Sequence, residues 1–389
     1  MDNLTHSLAG ALIGEATSDL RSEPRRTTRR SLIMVASIIA NNFPDFDGLY
    51  TRIMPPPLGY LLHHRGHTHT LVGLIPQFFL IFGVLWLFKN FRAELRDRTS
   101  RKLTVFVVVL GLLMHMLLDS WNSYGVHPFY PFSSQWFYGD LIFIVEPFIW
   151  FSFAVPLFFT LNKWWTRWPI LAITTVVPVL AAFNKLLTWY AVAAVFSYAL
   201  VLAFFTQRAK TPTKKVGYGV IGALAFISLQ TSTSASVRAQ LNAEFIPNSP
   251  THKILDLVLN PLPANPFCWS VIQIEVDKAN DKYITEGKVR SSWPSVLPVE
   301  SCLTFRPAPS HSETPLSAIK EIIERDCHVA SWLRFARAPQ FAADQVYDLR
   351  FSRDGMSNFS KMDISQNRRE CPRFDPPWIP PRQDLLDLL

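Results

Sequence analysis

The chain has 389 residues, 49% of them hydrophobic and 13% aromatic, and its mean hydropathy is positive. That share is high for a soluble protein and points to membrane spans, with length left over for one soluble domain. The net charge of +8 then reads as cytoplasmic loops of a protein seated in a lipid bilayer, not as a surface for nucleic acid.

The N-terminus, "MDNLTHSLAGALIGEA", lacks a basic leader, and His6 interrupts its apolar stretch, so it does not read as a cleavable signal peptide. Segments 4–19 and 31–43 read as short apolar helices, either half-depth or short spans. Pro44 stops the second one within "NNFPDFDG", which carries Asp45 and Asp47. Segments 70–88, 103–119, 141–161, 169–187 and 189–206 reach or approach the roughly 20 apolar residues that a span requires. A weaker segment, 217–231, is rich in Gly, Ser and Thr. The expected fold is mainly α: a polytopic helical membrane domain of about six to eight hydrophobic helices over 1–231, then a small α+β extracytoplasmic domain over 232–389.

The composition shifts near 232–250, "TSTSASVRAQLNAEFIPNSP". Beyond it "WSVIQIEV" and "YITEGKVR" read as a hairpin, "PLSAIKEIIERD" as a helix with Pro315 near its start, and "QVYDLRFSR" as a further strand. The tail "CPRFDPPWIPPRQ" reads as irregular. Cys268, Cys302, Cys327 and Cys371 are the only cysteines, and all fall in this region. One or two disulfides outside the cytoplasm, or four free thiols, are compatible with them.

The basic residues sort by loop. Arg21, Arg25, Arg26, Arg29 and Arg30 share one; Lys89, Arg92, Arg96, Arg98, Arg101 and Lys102 share another. Lys163 and Arg167 follow, then Arg208, Lys210, Lys214 and Lys215. Loop 44–69 has only Arg52 and Arg65, and 120–140 has none. The positive-inside rule puts the basic loops in the cytoplasm and 44–69, 120–140 and the region after 232 outside. The helix directions that result gather His6, Asp45, Asp47, His64, His69, His115, Asp119 and Asp140 at one outer face.

Those residue types suit a metal. His115 and Asp119 are one helical turn apart and share a face. Mixed imidazole and carboxylate donors favour zinc, with manganese or iron as alternatives. More than four candidates leaves room for two ions that activate water together, and ionisable groups at membrane depth are costly unless they pair or bind ions. Gly66 allows a tight turn in "HHRGHTH". Plainer readings exist: His6 as a helix-end polar group, Asp45 and Asp47 as turn caps, His63 and His67 as solvated bystanders, Glu146 as an interfacial anchor. Trp121, Tyr124, Trp136 and Tyr138 read as an aromatic belt at the membrane surface. Arg65 reads as a partner either for a substrate anion or for an aspartate.

"MDNLTHSLAGALIGEA", "NNFPDFDGL", "HHRGHTHTL", "HMLLDSWNSYGVHPFYPFS" and "GDLIFIVEP" together resemble the YdjM family of bacterial inner-membrane metal-dependent hydrolases, over about residues 1–160 and loosely beyond. By position the family pattern matches His6, Asp45, Asp47, His64, His69, His115, Asp119 and Asp140. His67 stands where relatives commonly have an apolar or small residue, and Glu146 where many have Asp. The donor order is also distantly similar to zinc-dependent phospholipase C, which implies a phosphoester or lipid-linked substrate.

The reading drawn from residues and resemblance is an integral membrane hydrolase with one or two divalent metals at the outer face. Its expected metal ligands are His64, His69, His115, Asp45, Asp47 and Asp119, with His6 as a secondary ligand. Asp47, Asp140 and Arg65 are the expected catalytic groups, and the expected partner is a small-molecule or lipid-linked substrate. The alternatives are a non-catalytic membrane protein with a structural metal or a metal or proton transport role, and a partner-binding scaffold.

Overall fold

A computed structural model of the chain describes residues 1–19, 27–302, 310–352, 358–364, 370–372 and 376–389. Arg21, Arg25 and Arg26 of the first basic loop lie outside these. The helical part begins with α1 (Asn3–Asp19) and α2 (Thr27–Asn42), which pack as an antiparallel pair. Pro44 ends α2 in a 3₁₀ turn, and the short helices α3 (Asp47–Thr51) and α4 (Leu58–His63) follow. Next come α5 (Leu71–Leu87), α6 (Lys89–Leu95), α7 (Arg98–Ser120), α8 (Pro147–Thr160), α9 (Trp164–Phe183), α10 (Trp189–Arg208) and α11 (Pro212–Glu244).

Four of these, α7, α9, α10 and α11, are long and apolar enough to cross a membrane, or five if α5 and α6, bent by 116° at their junction, form one span. This corrects the expectation of six to eight spans. The reason lies in length and burial. Helix α8 has only 14 residues and keeps nearly all of them inside the protein, and α1 and α2 stop at 17 and 16 residues. Apolar content there serves helix–helix packing and not lipid contact. The outward faces of α9 and α10, with Trp164, Leu180, Leu200 and Val201 exposed, are the surface that lipid would cover.

At the helix ends remote from the candidate site, Arg29 bonds Glu94, Asp97 and Ser100, and Arg30 bonds Glu15 at 2.7 Å. Two basic residues from the first expected cytoplasmic loop thus meet acidic partners from the second and from α1 at a single end of the bundle.

The C-terminal region carries β1 (His252–Leu262), β2 (Asn265–Asp277), β3 (Lys282–Ser291) and β4 (Ser310–Pro315) as one antiparallel sheet in the order β1-β2-β3-β4. Helices α12 (Leu316–Arg325) and α13 (Cys327–Trp332) follow, then a small sheet of β5 (Pro339–Phe341), β6 (Gln345–Asp348) and β7 (Met362–Asp363), and α14 (Gln383–Leu386). The expected strand at "QVYDLRFSR" stops at Asp348, because its carboxylate accepts the Arg350 amide and caps a 3₁₀ turn. Disulfides join Cys268 to Cys302 and Cys327 to Cys371, each pair with Cα atoms 5.6 Å apart.

The Ser/Thr-rich composition shift at 232 falls inside α11, not in a linker. The last turns of that helix bury Val237 and Leu241 against Leu257, Leu259, Trp269 and Val271 of the sheet. A second apolar cluster is shared between the two parts: Leu58, Leu61, Leu62 and Tyr124 pack with Val258, Ile274, Trp332 and Phe335. The Pro-rich tail over the described residues 376–382 is irregular yet anchored, since Trp378 is 1% exposed and lies edge-on to His67 and His127.

Candidate metal centre

Backbone chemistry aims the donors. Asn41 and Asn42 close α2, and the Pro44 turn delivers Asp45 beyond its end. Thr70 caps α5 by accepting the Gly73 amide and donates its own hydroxyl to the His67 carbonyl, which locks the loop carrying His69. Gln77, one turn further on, donates to the Thr68 carbonyl. On α7, Gly111 lets the helix press against Ala40 and Asn41, where a Cβ would sit 2.8 Å from the Ala40 side chain. One turn later His115 reaches the Asn41 carbonyl with Nδ1 at 2.7 Å.

Four donors converge. His69 Nε2 lies 3.0 Å from His115 Nε2, 3.4 Å from Asp45 Oδ1 and 3.1 Å from Asp119 Oδ2. His115 Nε2 lies 3.6 Å from Asp45 Oδ1 and 3.4 Å from Asp119 Oδ2. Around a tetrahedral zinc with bonds of 2.0–2.1 Å, donor–donor edges are about 3.3 Å, which these five distances bracket.

The hydrogen bonds to Nδ1 orient both imidazoles with Nε2 toward the cluster. His115 Nδ1 faces a carbonyl, so it carries the hydrogen and leaves Nε2 bare. Thr68 gives its hydroxyl hydrogen to Asp47 Oδ2 at 2.7 Å, so its oxygen accepts from His69 Nδ1 at 2.9 Å, and His69 Nε2 is bare too. With both imidazoles neutral, two lone pairs and two carboxylate oxygens face one another, an arrangement that a cation would satisfy. Asp119 Oδ2 is buried without a hydrogen-bond partner, as are both ring nitrogens of His6. His6 stacks on His115 at 3.9 Å, and its Nε2 is 3.4 Å from Asp119 Oδ1.

The other sequence candidates fall around this quartet. Asp47 accepts from His64 Nδ1 at 2.8 Å, from the Arg65 amide at 2.8 Å and from Thr68, and its Oδ2 is 3.6 Å from His69 Nδ1. It stands behind the histidines. Burial raises its carboxyl, but the His64 hydrogen bond and charge, His69 and the Arg65 amide together hold it below the ordinary value, while burial lowers His64. Arg65, 2% exposed, places Nη2 2.9 Å from Asp119 Oδ1 and Nη1 near the Asn122 side chain, and so fixes Asp119 with Oδ2 free for the cluster. The α-amino group of Met1 also reaches Asp119 Oδ1. His63 is buried, His67 is exposed, and neither joins the four.

Asp140 is not brought to the quartet. It pairs with Arg337 at 2.9 Å and Arg238 at 3.3 Å, both from beyond α10. Glu146 caps α8, is fully buried and accepts the Phe148 and Ala264 amides. The expected aromatic belt is corrected at two positions: Tyr124 lies under the Arg65 guanidinium and Tyr138 under that of Arg337, each claimed by a cation inside the protein. Sequence reasoning missed Asn41, Thr68, Gln77, Asn122 and His127. The last braces the loop through the Gly66 carbonyl. The "DSWNSYGVHPF" stretch after His115 was the one available signal for two of them.

Beside the quartet lies a cavity of about 650 Å³, floored by Asp45, His64 and Arg65 and roofed by Ser270, Phe351 and Phe359 of the C-terminal region. The helix ends that meet beneath it carry the motif run of residues 1–160. The chain belongs to the YdjM inner membrane protein family. The family model matches residues 1–210, which hold the whole quartet. This YdjM chain is also similar to the uncharacterized protein YfhP of Bacillus subtilis (strain 168), at 30% identity over 155 residues. That match covers 39% of this chain and 44% of that protein, so the chain spans less than half the length of the curated relative it matches. No solved structure matches.

Proposed function

We propose that this inner-membrane protein is a metal-dependent hydrolase of phosphoesters, with its centre at the extracytoplasmic face. The supporting observation is the quartet of Asp45, His69, His115 and Asp119, whose four bare acceptor atoms lie within 4.8 Å of one another. When bound there, a divalent ion, zinc by donor set with manganese or iron as alternatives, supplies Lewis acidity to a scissile oxygen and acidifies water. Asp45, His69, His115 and Asp119 would hold it, and Asp45, the partly exposed member at 15%, lines the cavity.

The chain's own groups divide the remaining work. Asn41 and the Thr68–Asp47 relay orient the two imidazoles. Arg65 holds Asp119, and His6 stacks on His115 beside it. His64, with Nδ1 given to Asp47, keeps Nε2 as a proton acceptor on a residue that lines the cavity. The domain reading is 1–231 for the membrane part and 232–389 for the extracytoplasmic part, and the two disulfides favour the oxidising side of the membrane for the latter.

The deciding experiment is elemental analysis of the detergent-purified protein beside His115→Ala and Asp119→Ala, with turnover of a phosphoester panel. Stoichiometric metal and turnover in the wild type, both lost in the variants, is the expected result. A wild type that carries no metal would sink the reading.

A further inference from the structure

The cavity beside the quartet has a charge pattern that sorts on inspection. Its charged lining side chains are Asp2, Asp45, Arg52, Arg65 and Arg350. Four are committed elsewhere. Asp2 caps α1 through the Leu4 and Thr5 amides, and Asp45 belongs to the quartet. Arg65 is paired with Asp119 at 2.9 Å and Arg350 with Asp348 at 2.7 Å. Arg52 makes no hydrogen bond or ion pair among the described residues and is exposed. Among the described residues it is therefore the cavity's one uncommitted charged side chain, and an anion is what it recognises.

The second half of the pattern is apolar. Tyr60, 39% exposed, stacks on His64 at 4.7 Å; Phe359, 45% exposed, meets Tyr60 edge-on at 5.9 Å; Phe351 lies 4.6 Å from Phe359. These rings form a strip that leads from the surface to His64. Next to Arg52, Ile53 is 86% exposed and Leu49 63% exposed, so the charge sits in an apolar rim.

We propose that the cavity selects an anionic amphiphile: Arg52 takes the charged head, and the Tyr60–Phe359–Phe351 strip takes the start of the chain. Phe351 and Phe359 come from the C-terminal part, beyond the 1–210 stretch that the family model matches. Chain selectivity is thus a property of this protein's own C-terminal domain. The inference rests on the hydrolase reading only for what happens to the head once bound.

The test is calorimetric titration of the full-length, chelator-treated protein in a non-ionic detergent with octylphosphonate, methylphosphonate and octanol. Micelle partition is common to all variants, so the comparison runs across variants. Octylphosphonate should bind at least about tenfold tighter than either other probe. Arg52→Ala should erase its advantage over octanol, and Phe359→Ala its advantage over methylphosphonate. Both residues are exposed, so neither substitution threatens the fold. Equal binding of octylphosphonate and octanol in the wild type, or an unchanged profile in Arg52→Ala, overturns the proposal. Methylphosphonate binding as tightly as octylphosphonate overturns the chain half of it and points to a free phosphate ester. A wild type without metal or turnover that still shows this pattern would fail the hydrolase reading alone.

Discussion

At the residue scale, the quartet is set by what its members do with their other atoms. His115 spends Nδ1 on the Asn41 carbonyl, His69 spends its own on Thr68, and Asp119 spends Oδ1 on Arg65. Asp47 serves two histidines without belonging to the four. Asp47→Asn should therefore keep metal but bind it roughly 10–100-fold more weakly, whereas Asp119→Ala should lose it; competition with a chromophoric chelator reads both. Complete loss in Asp47→Asn would make Asp47 a ligand. The pairing of His115 with Asp119 was legible because helical periodicity is local. The division between Asp45 and Asp47 was not, because it depends on a turn whose direction Pro44 sets only in three dimensions.

At the scale of elements, the start of α5 is the tightest joint. A Cβ on Gly73 would lie 1.9 Å from the His67 carbonyl oxygen, a rigid backbone atom. Gly73→Ala should cost about 1–3 kcal/mol or more through displacement of that loop, and metal affinity should fall with it. Gly83, on the same helix with nothing within 4 Å of its Cβ position, is the control, and Gly83→Ala should hold or slightly raise the thermal transition in detergent, alanine being the better helix former. Helix α8 shows why apolar runs mislead. Its sequence reads as a span, but 14 residues buried on nearly all sides make it a core helix. Helix α11 errs the other way, its polar second half staying helical because the sheet buries Val237 and Leu241.

At the scale of the whole molecule, the C-terminal domain is pinned over the face that carries the quartet. Arg337 bridges Asp140 at 2.9 Å and Asp256 at 2.8 Å, and Arg350 donates to the Ser123 carbonyl at 2.7 Å. Arg337→Ala leaves two carboxylates buried without that partner and should cost about 3–5 kcal/mol. Burial would raise Asp256, but the neighbouring Arg337 outweighs it and lowers the carboxyl below its ordinary value. A lowered carboxyl contributes stability above its unfolded pKa and loses it as pH falls through the folded one, so the contact should weaken below about pH 4. Limited proteolysis across pH, with wild type beside Arg337→Ala, checks both. The disulfides close spans of 34 and 44 residues and should each contribute about 2–4 kcal/mol, read as a lower unfolding midpoint after reduction. An unmoved midpoint would argue against them.

The sequence by itself determined the helical membrane character, the β-rich C-terminal part, the family and the side of the bundle where the acidic and imidazole groups collect. The family follows from the resemblance of five short motifs, and the rest from composition, local periodicity and the sorting of charge between loops, none of which needs knowledge of packing. Tertiary structure alone decided which four donors meet, that Asp140 serves Arg337, and that the roof of the cavity comes from residues more than 200 positions away from its floor. Those outcomes depend on where loops turn and which faces bury one another, and no short window of sequence carries that information.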